Sequence, residues 1–314
     1  MRGHAPRPRH RRPRPRSREP AGAHAPYLVL HRTSGLDCFF SALVTRSLLI
    51  LFLALIALPA IADTKLAVRD GEMFTFKVSW AVVAGAGEIK ITANHDSSGA
   101  APRLRVTTTT ATRGFARWLL PFDAKATSLF DLRTGRLLAL SESSDQRSKH
   151  HEHSVTFDYP AMQAHYAGPT AADKPRPLPL PAGEPMDLIT QLVQTRSWEL
   201  KPGEKRDALV LFDDEFYELT IHAARFEDVQ TSLGLFKTLV LEPRMEKTPP
   251  KGMFKKGSTV RVWISQDERR LPVKFEVEFK IGTGVATLTG YQPPTPTTAT
   301  VGTPAAPDAK NSRP

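Results

Sequence analysis

From residue 74 onward the chain alternates. Phe74, Phe76, Val78 and Trp80 fall on one side of an extended chain, and Thr75, Lys77 and Ser79 on the other. A period of two places successive side chains on opposite faces of a strand. Gly85-Ala86-Gly87 follows, then E-I-K-I-T-A at 88–93, a turn at 95–102, and the β-branched run L-R-V-T-T-T-T-A-T at 104–112, which suits a pleated surface. Residues 123–130 and 136–144 predict a hairpin about D-L-R-T-G at 131–135, where Gly135 can supply the positive φ the turn requires. Residues 153–159 and 163–167 predict another, turned at Pro160. The alternation resumes at 207–212, 215–225, 235–246, 258–265, 272–281 and 285–291. Taken together, the pattern predicts about eleven strands and one or two helices, a mainly β chain with no internal repeat of fixed period.

Three stretches break the alternation. R-G-F-A-R-W-L-L-P-F at 113–122 reads either as a short helix ended before Pro121 or as an exposed apolar edge, because Phe115, Trp118, Leu119 and Leu120 are bulky and close together. Residues 168–185, rich in proline and alanine, predict an exposed loop. In M-D-L-I-T-Q-L-V-Q-T-R-S-W at 186–198, Leu188, Leu192 and Thr195 share a face, with Ile189 and Trp198 near its edges. That spacing predicts the main helix at about 186–199; Asp187 near its start complements the dipole, and Pro202-Gly203 ends it.

The first fifth of the chain is different. Arg46 precedes an apolar run at 48–58 and then Ala60-Ile61-Ala62, the three-part pattern of a secretory signal. The run is short for a bilayer, which needs about 20 residues. Residues 44–62 therefore predict a signal peptide cleaved after Ala62, with an uncleaved N-terminal anchor as the alternative, and a periplasmic or secreted protein. The arginine-rich leader at 1–43 reads as a nucleic-acid-binding arm or as an over-extended start, with Val44 as the initiator; we favour the second. Residues 1–62 hold ten arginines and two acids, so they carry +8 of the net +11 and leave +3 to the rest. The basic balance is no argument for nucleic-acid binding by the domain at 63–291. The sole cysteine, Cys38, lies upstream of the signal, so the mature chain is expected to have no disulfide, thiol chemistry, cysteine–zinc site or lipidation cysteine. Residues 292–314, rich in Pro, Thr and Ala, predict a disordered tail.

Few side chains suggest chemistry. K-H-H-E-H at 149–153 would place His151 and His153 on one face of a strand, a weak metal candidate; we expect a solvated strand start, because metal sites need a further organised ligand set. F-D-D-E-F-Y-E at 212–218 lacks the ligand spacing and glycine of a calcium loop, and Asp213-Asp214 predict a hairpin turn with Phe216 toward an apolar face. T-P-P-K-G-M-F-K-K-G at 248–257 sets Met253 and Phe254 among Lys251, Lys255 and Lys256. It reads as a loop with one or two residues tucked into the core, or as a site for an acyl chain with an anionic head, or for a membrane surface. G-x-S-x-G, H-E-x-x-H and a phosphate-binding glycine loop are absent; no catalytic residue and no cofactor is expected.

V-W-I-S-Q-D-E-R-R-L-P-V-K at 262–274 predicts two strands and their turn. Val260, Val262 and Ile264 fall on one face, with Arg261, Trp263 and Ser265 on the other; Asp267 accepts turn hydrogen bonds while Glu268, Arg269 and Arg270 face water. This stretch resembles the late signature of the bacterial periplasmic family called domain of unknown function 3108: a tryptophan strand, an Asp near the turn, and Arg-Leu-Pro opening the next strand. F-T-F-K-V-S-W with Gly85 and Gly87, P-M-D-L-I-T-Q-L, and L-G-L-F-K-T-L-V-L-E-P are similar to the family's other segments. The resemblance spans about residues 71–291. It implies a curved antiparallel sheet or partly open barrel with one main helix against it, and it carries over no catalytic residue. Such a sheet can enclose an apolar groove. The expected role is non-enzymatic binding of a hydrophobic envelope ligand, with Phe115, Trp118, Leu119, Met253, Phe254 and Lys255 as candidate contacts. The alternatives are an envelope assembly factor acting through protein contacts and, with less support, a hydrolase. For the leader, peptide mass spectrometry of cells is expected to find no peptide from residues 1–16; finding one would sink the over-extended-start reading.

Overall fold

The computed structural model describes residues 66–81, 83–168, 174–280 and 282–296. The leader, the signal segment and residues 297–314 of the expected tail lie outside them. The described residues form one fifteen-stranded sheet. Its first half holds β1 (Met73–Trp80), β2 (Val83–Asp96), β3 (Arg103–Thr112), β4 (Phe122–Asp131), β5 (Leu137–Gln146), β6 (Lys149–Asp158), β7 (Gln163–Ala167) and β8 (Arg176–Pro179). The second half holds β9 (Met186–Asp187), β10 (Lys205–Phe212), β11 (Glu215–Thr231), β12 (Gly234–Arg244), β13 (Thr259–Ser265), β14 (Pro272–Phe279) and β15 (Gly282–Gln292). Two α-helices stand among them, α1 (Gly114–Leu119) and α2 (Leu188–Gln194).

Strands consecutive in sequence are neighbours in the sheet except β8 and β9, which are its two ends, and the first and last strands, β1 and β15, pair with each other. Phe74 meets Tyr291 across this seam at 5.3 Å between ring centroids, and Phe76 meets Phe275 at 5.1 Å. From the seam, β1 to β8 run one way and β15 to β9 the other, antiparallel throughout except for the parallel pair β9–β10. The two edges, β8 and β9, are joined by residues 180–185 alone, so the sheet must curl until its edges meet. Leu140, Val155, Ala164 and Leu178, from β5 to β8, pack on Leu211 of β10. No ladder joins the edges, and the architecture is an open sheet, mainly β and strongly curved.

Two strands fall outside the segments predicted to be extended: β8, in the proline-rich stretch at 168–185 predicted as a loop, and the two-residue β9 at the start of the predicted helix. Pro177 and Pro179 donate no ladder hydrogen bond, which an edge strand tolerates, and Leu178 and Leu180 between and beyond them are buried. The hairpin at 131–135 forms as predicted: Gly135 has φ 72° and donates to Asp131 O at 2.8 Å.

The main helix is shorter than predicted and is buried on every side. Asp187 caps it, accepting from Thr190 N at 2.9 Å, and a 3₁₀ turn, Thr195–Ser197, ends it before Pro202. Leu188, Leu192 and Trp198 pack on β10–β13, whereas Val193 joins the core at the seam. Thr190, Gln191, Gln194, Thr195 and Arg196 are buried as well, so α2 lies inside the curl rather than on its surface. Buried polar groups need partners: Thr195 Oγ1 donates to Leu192 O at 2.7 Å, and Gln194 Oε1 accepts from Ala67 N at 2.8 Å.

Arg196 is only 5 % exposed and Glu72 1 %. They pair at 2.7 Å. Arg196 also donates to Arg269 O at 2.6 Å and Arg270 O at 3.1 Å, and Glu72 accepts from Tyr291 Oη at 2.8 Å. Asp267 holds the β13–β14 turn as predicted, accepting from Ser265 Oγ at 2.6 Å and Arg270 N at 3.2 Å. Arg270 departs from expectation. It turns inward and donates to Arg196 O and Trp198 O, both at 2.7 Å, because the end of the helix leaves those carbonyls without intrahelical partners. Trp263 is also buried, at 2 % exposure; the Lys274 ammonium lies 4.0 Å from its ring.

Arg196→Met is expected to destabilise the fold by about 3–5 kcal/mol, because it leaves Glu72 charged and uncompensated. The double replacement with Glu72→Gln should recover much of that loss. Urea unfolding measures both, and a cost below about 1 kcal/mol for Arg196→Met would show that the pair is not a constraint on the fold.

Candidate functional site

The concave face becomes polar as it leaves the seam. One cross-strand row runs Ile91, Thr108, Ala126, Glu142, His153, and the next runs Ile89, Thr110, Ala124, Ser144, His151. The small residues in these rows leave a cavity of about 440 Å³ between β3–β7, Ile189 of α2 and the tip of the β10–β11 hairpin. Asp213 occupies that tip with φ 57°, a left-handed conformation that aspartate tolerates. This is the hairpin turn expected of Asp213-Asp214, and Phe216 packs on the adjoining apolar cluster.

Glu142 and His153 are direct cross-strand partners, with Oε2 and Nε2 3.5 Å apart. Burial, and then the negative charges of Asp187 and Asp213, push the Glu142 carboxyl up to about 7. Burial lowers the His153 imidazole, against the opposing pull of Asp213 and Asp214. Both groups are thus driven toward neutral forms, and near neutral pH their approach is not a full ion pair. His153 Nε2 is closed to solvent and without a hydrogen-bond partner. The Tyr166 ring stacks on His153 at 5.3 Å, and its hydroxyl donates to Asp213 at 3.3 Å. Deeper in, Ser128 Oγ donates to Asp187 Oδ2 at 2.7 Å.

A second cavity, of about 360 Å³, lies beside α2 and shares Phe212 and Asp213 with the first. Leu188, Val210, Leu219, Met245, Met253 and Phe254 supply its apolar wall. The exposed Asp213, Glu215, Lys251 and Lys255 also border it. Lys251 is occupied: it donates to Glu215 at 2.6 Å and lies 5.6 Å from the Tyr217 ring. The two cavities are neighbouring lobes, one apolar and one polar, with Phe212, Asp213 and the first turn of the helix between them.

Three candidate contacts therefore converge: Met253, Phe254 and Lys255 stand at the apolar lobe, with Met253 and Phe254 also packed on the core. The other three do not join them. Phe115, Trp118 and Leu119 belong to α1 and are 62, 76 and 51 % exposed; they line neither lobe, and the first two stack on each other at 5.8 Å. The helix and the exposed apolar edge predicted for this stretch are thus one feature. His151 and His153 do share a face, and the strand start at 149–152 is exposed as expected, but the His153 side chain departs from that expectation, being only 13 % exposed. Its neighbours across the sheet shield it. Among the described residues no three His, Cys, Asp or Glu side chains are grouped to hold a metal ion.

Glu142 was missed by the pattern reading. Its signal was a charge at the position where the apolar face of L-L-A-L-S-E continues two residues beyond Leu140. An unfolded glutamate loses its proton near pH 4.3, whereas Glu142 keeps its proton to about 7. Ionising it therefore costs stability progressively between those two pH values, and the whole cost is present above the upper one. Glu142→Gln is expected to match the wild type in urea unfolding at about pH 4, and to become the more stable of the two as pH rises through the folded-state value. A difference that does not change with pH would show that the carboxyl is not held protonated.

No curated protein matches the chain. Among solved structures, the crystal structure of a beta-barrel-like protein of domain of unknown function DUF1849 from Brucella abortus is similar, with a TM-score of 0.47 and 7 % identity over 71 % of this chain and 98 % of that chain. The sequence profile of the family described as "Protein of unknown function (DUF3108)" matches residues 75–289, from β1 to β15. The chain belongs to that family.

Proposed function

We propose that this protein is a non-enzymatic carrier or sensor of a hydrophobic cell-envelope ligand, acting in the periplasm after cleavage of the signal segment at 44–62. The observation that carries the reading is the apolar lobe: about 360 Å³ between β10–β11, the helix and the 252–254 turn. This is the size of a small-molecule pocket, and such pockets are mostly apolar with a few polar groups. Met253 and Phe254 form one wall from a turn bounded by glycine and proline, in a place where a wall can adjust.

A specific observation also favours a second reading, an assembly factor acting through protein contacts. Phe115, Trp118 and Leu119 form a contiguous exposed apolar patch, and such patches mark interaction sites. The helix presenting them is held in place: Thr112 Oγ1 donates to Leu120 O at 2.9 Å, and Arg117 pairs with Asp123 at 2.7 Å.

Mass spectrometry of small molecules extracted from the protein purified from periplasm separates the readings. The expected result is a co-purifying apolar compound, retained by Trp118→Glu and reduced at least about tenfold by Met253→Asp, since a tenfold loss needs only about 1.4 kcal/mol. An empty wild-type extract, with one envelope protein captured by the wild type and lost in Trp118→Glu, would replace the ligand reading with the assembly reading.

A further inference from the structure

The polar lobe is short of positive charge. Nearby carboxylates outside it have cations: Asp214 pairs with Arg176, and Glu215 with Lys251. Those inside do not. Among the described residues, Glu142 meets only His153, at 3.5 Å. Asp213 meets the Tyr166 hydroxyl and, at 4.0 Å, His153 Nδ1. Asp187, buried behind the lobe and not on its lining, is held by the Ser128 hydroxyl and by Thr190 N. Lys125, Glu152 and His151 also border the cavity, but Lys125 and Glu152 start from the opposite face of β4 and β6, one residue out of phase with Ala126 and His153, and His151 is exposed in the outer row.

Beside these carboxylates stands a buried imidazole nitrogen, His153 Nε2, with no partner. In the tautomer protonated on Nδ1, toward Asp213, that nitrogen is an acceptor. Glu142 and Asp213 thus offer carboxylate acceptors to one cavity, beside this buried imidazole, a setting suited to a primary ammonium with its N–H donors. The rings of Tyr166 and Phe212 border the same space and can face a cation.

We propose that the polar lobe binds a primary ammonium, the head group of the ligand whose apolar part fills the neighbouring lobe. This rests on the apolar-ligand reading above, and it replaces the anionic head group expected from the lysines of the 251–256 loop, since Lys251 is already engaged by Glu215. Ammonium binding favours the ionised form of Glu142. Because that carboxyl is held protonated up to about 7, the ammonium should bind more tightly as pH rises through that value.

Isothermal titration with dodecylamine, dodecanol and dodecanoate tests the pairing. At neutral pH dodecylamine is expected to bind at least about tenfold more tightly than either of the others. Glu142→Gln should remove the preference for the amine over the alcohol, and should flatten the pH dependence of amine binding. Equal binding of the amine and the alcohol would overturn the ammonium site and leave the apolar lobe intact. Tightest binding of dodecanoate would overturn it in favour of an anionic head. Butylamine reads the polar lobe alone: followed by NMR, it should lower the Glu142 titration midpoint where butanol does not. If no long-chain probe binds but butylamine shifts Glu142, the apolar-ligand reading fails and the ammonium site stands. If butylamine leaves Glu142 unmoved, the ammonium site fails.

Discussion

The buried pair of Arg196 and Glu72 fixes where everything else lies. Two charges out of water are costly unless their remaining hydrogen-bonding capacity is met. Here it is met by groups far apart in the chain: the carbonyls of Arg269 and Arg270, the Tyr291 hydroxyl and the backbone N–H of Arg69. The pair therefore joins the end of α2, the β13–β14 turn, the entry to β1 and the last residues of β15. Arg270 returns the contact by donating to the carbonyls of Arg196 and Trp198. An apolar substitute could fill the space, but it could not orient the end of a helix against two turns and the seam at the same time.

With its C-terminal end tied there, α2 is anchored at its other end by Asp187, which caps the helix and accepts from Ser128 on β4. The helix thus has a fixed position inside a sheet whose edges meet without pairing. Side chains of the first turn, Leu188 and Ile189, face different lobes, so the position of the helix decides how the interior is divided. The β10–β11 tip completes the division from the other edge, through Phe212 and Asp213. The cleft lies where the two ends of the sheet come together, a place no single hairpin defines.

That origin explains what the sequence could reveal. Strand period and turn chemistry are local, and they placed most of the hairpins, the turn at Asp213-Asp214 and the hydrogen bonds of Asp267. The proline-rich stretch misled, because an edge strand needs only half its hydrogen bonds and the apolar signal was limited to Leu178 and Leu180 among prolines. The helix looked amphipathic because Gln191, Gln194 and Arg196 are polar; the partners of Gln194 and Arg196 lie 70 to 130 residues away in the chain. Glu142 and His153 are eleven residues apart and meet only through the β5–β6 register. A period of two puts Glu142 on the face of Leu140, but only the curl of the sheet makes that face an interior. Met253, Phe254 and Lys255 were recognisable as an unusual loop, whereas the lobe they border is built by β10, β11 and the helix.

The space itself follows from side-chain size along neighbouring rows. Ala93, Val106, Ser128, Leu140 and Val155 form a continuous row that is buried throughout. One step toward the tips, Thr108, Ala126 and Glu142 take its place, and then Thr110, Ala124 and Ser144. Leucine or phenylalanine at these positions would extend the same core and bury apolar area worth about 25 cal/mol per Å². The chain forgoes that stabilisation and sets an unpaired carboxyl and a partnerless imidazole nitrogen at the end of the row, each unfavourable in a buried site. Interior positions that break the packing rule without a compensating contact are where function is expected to reside. In this fold they coincide with the cavity where the two edges of the sheet come together.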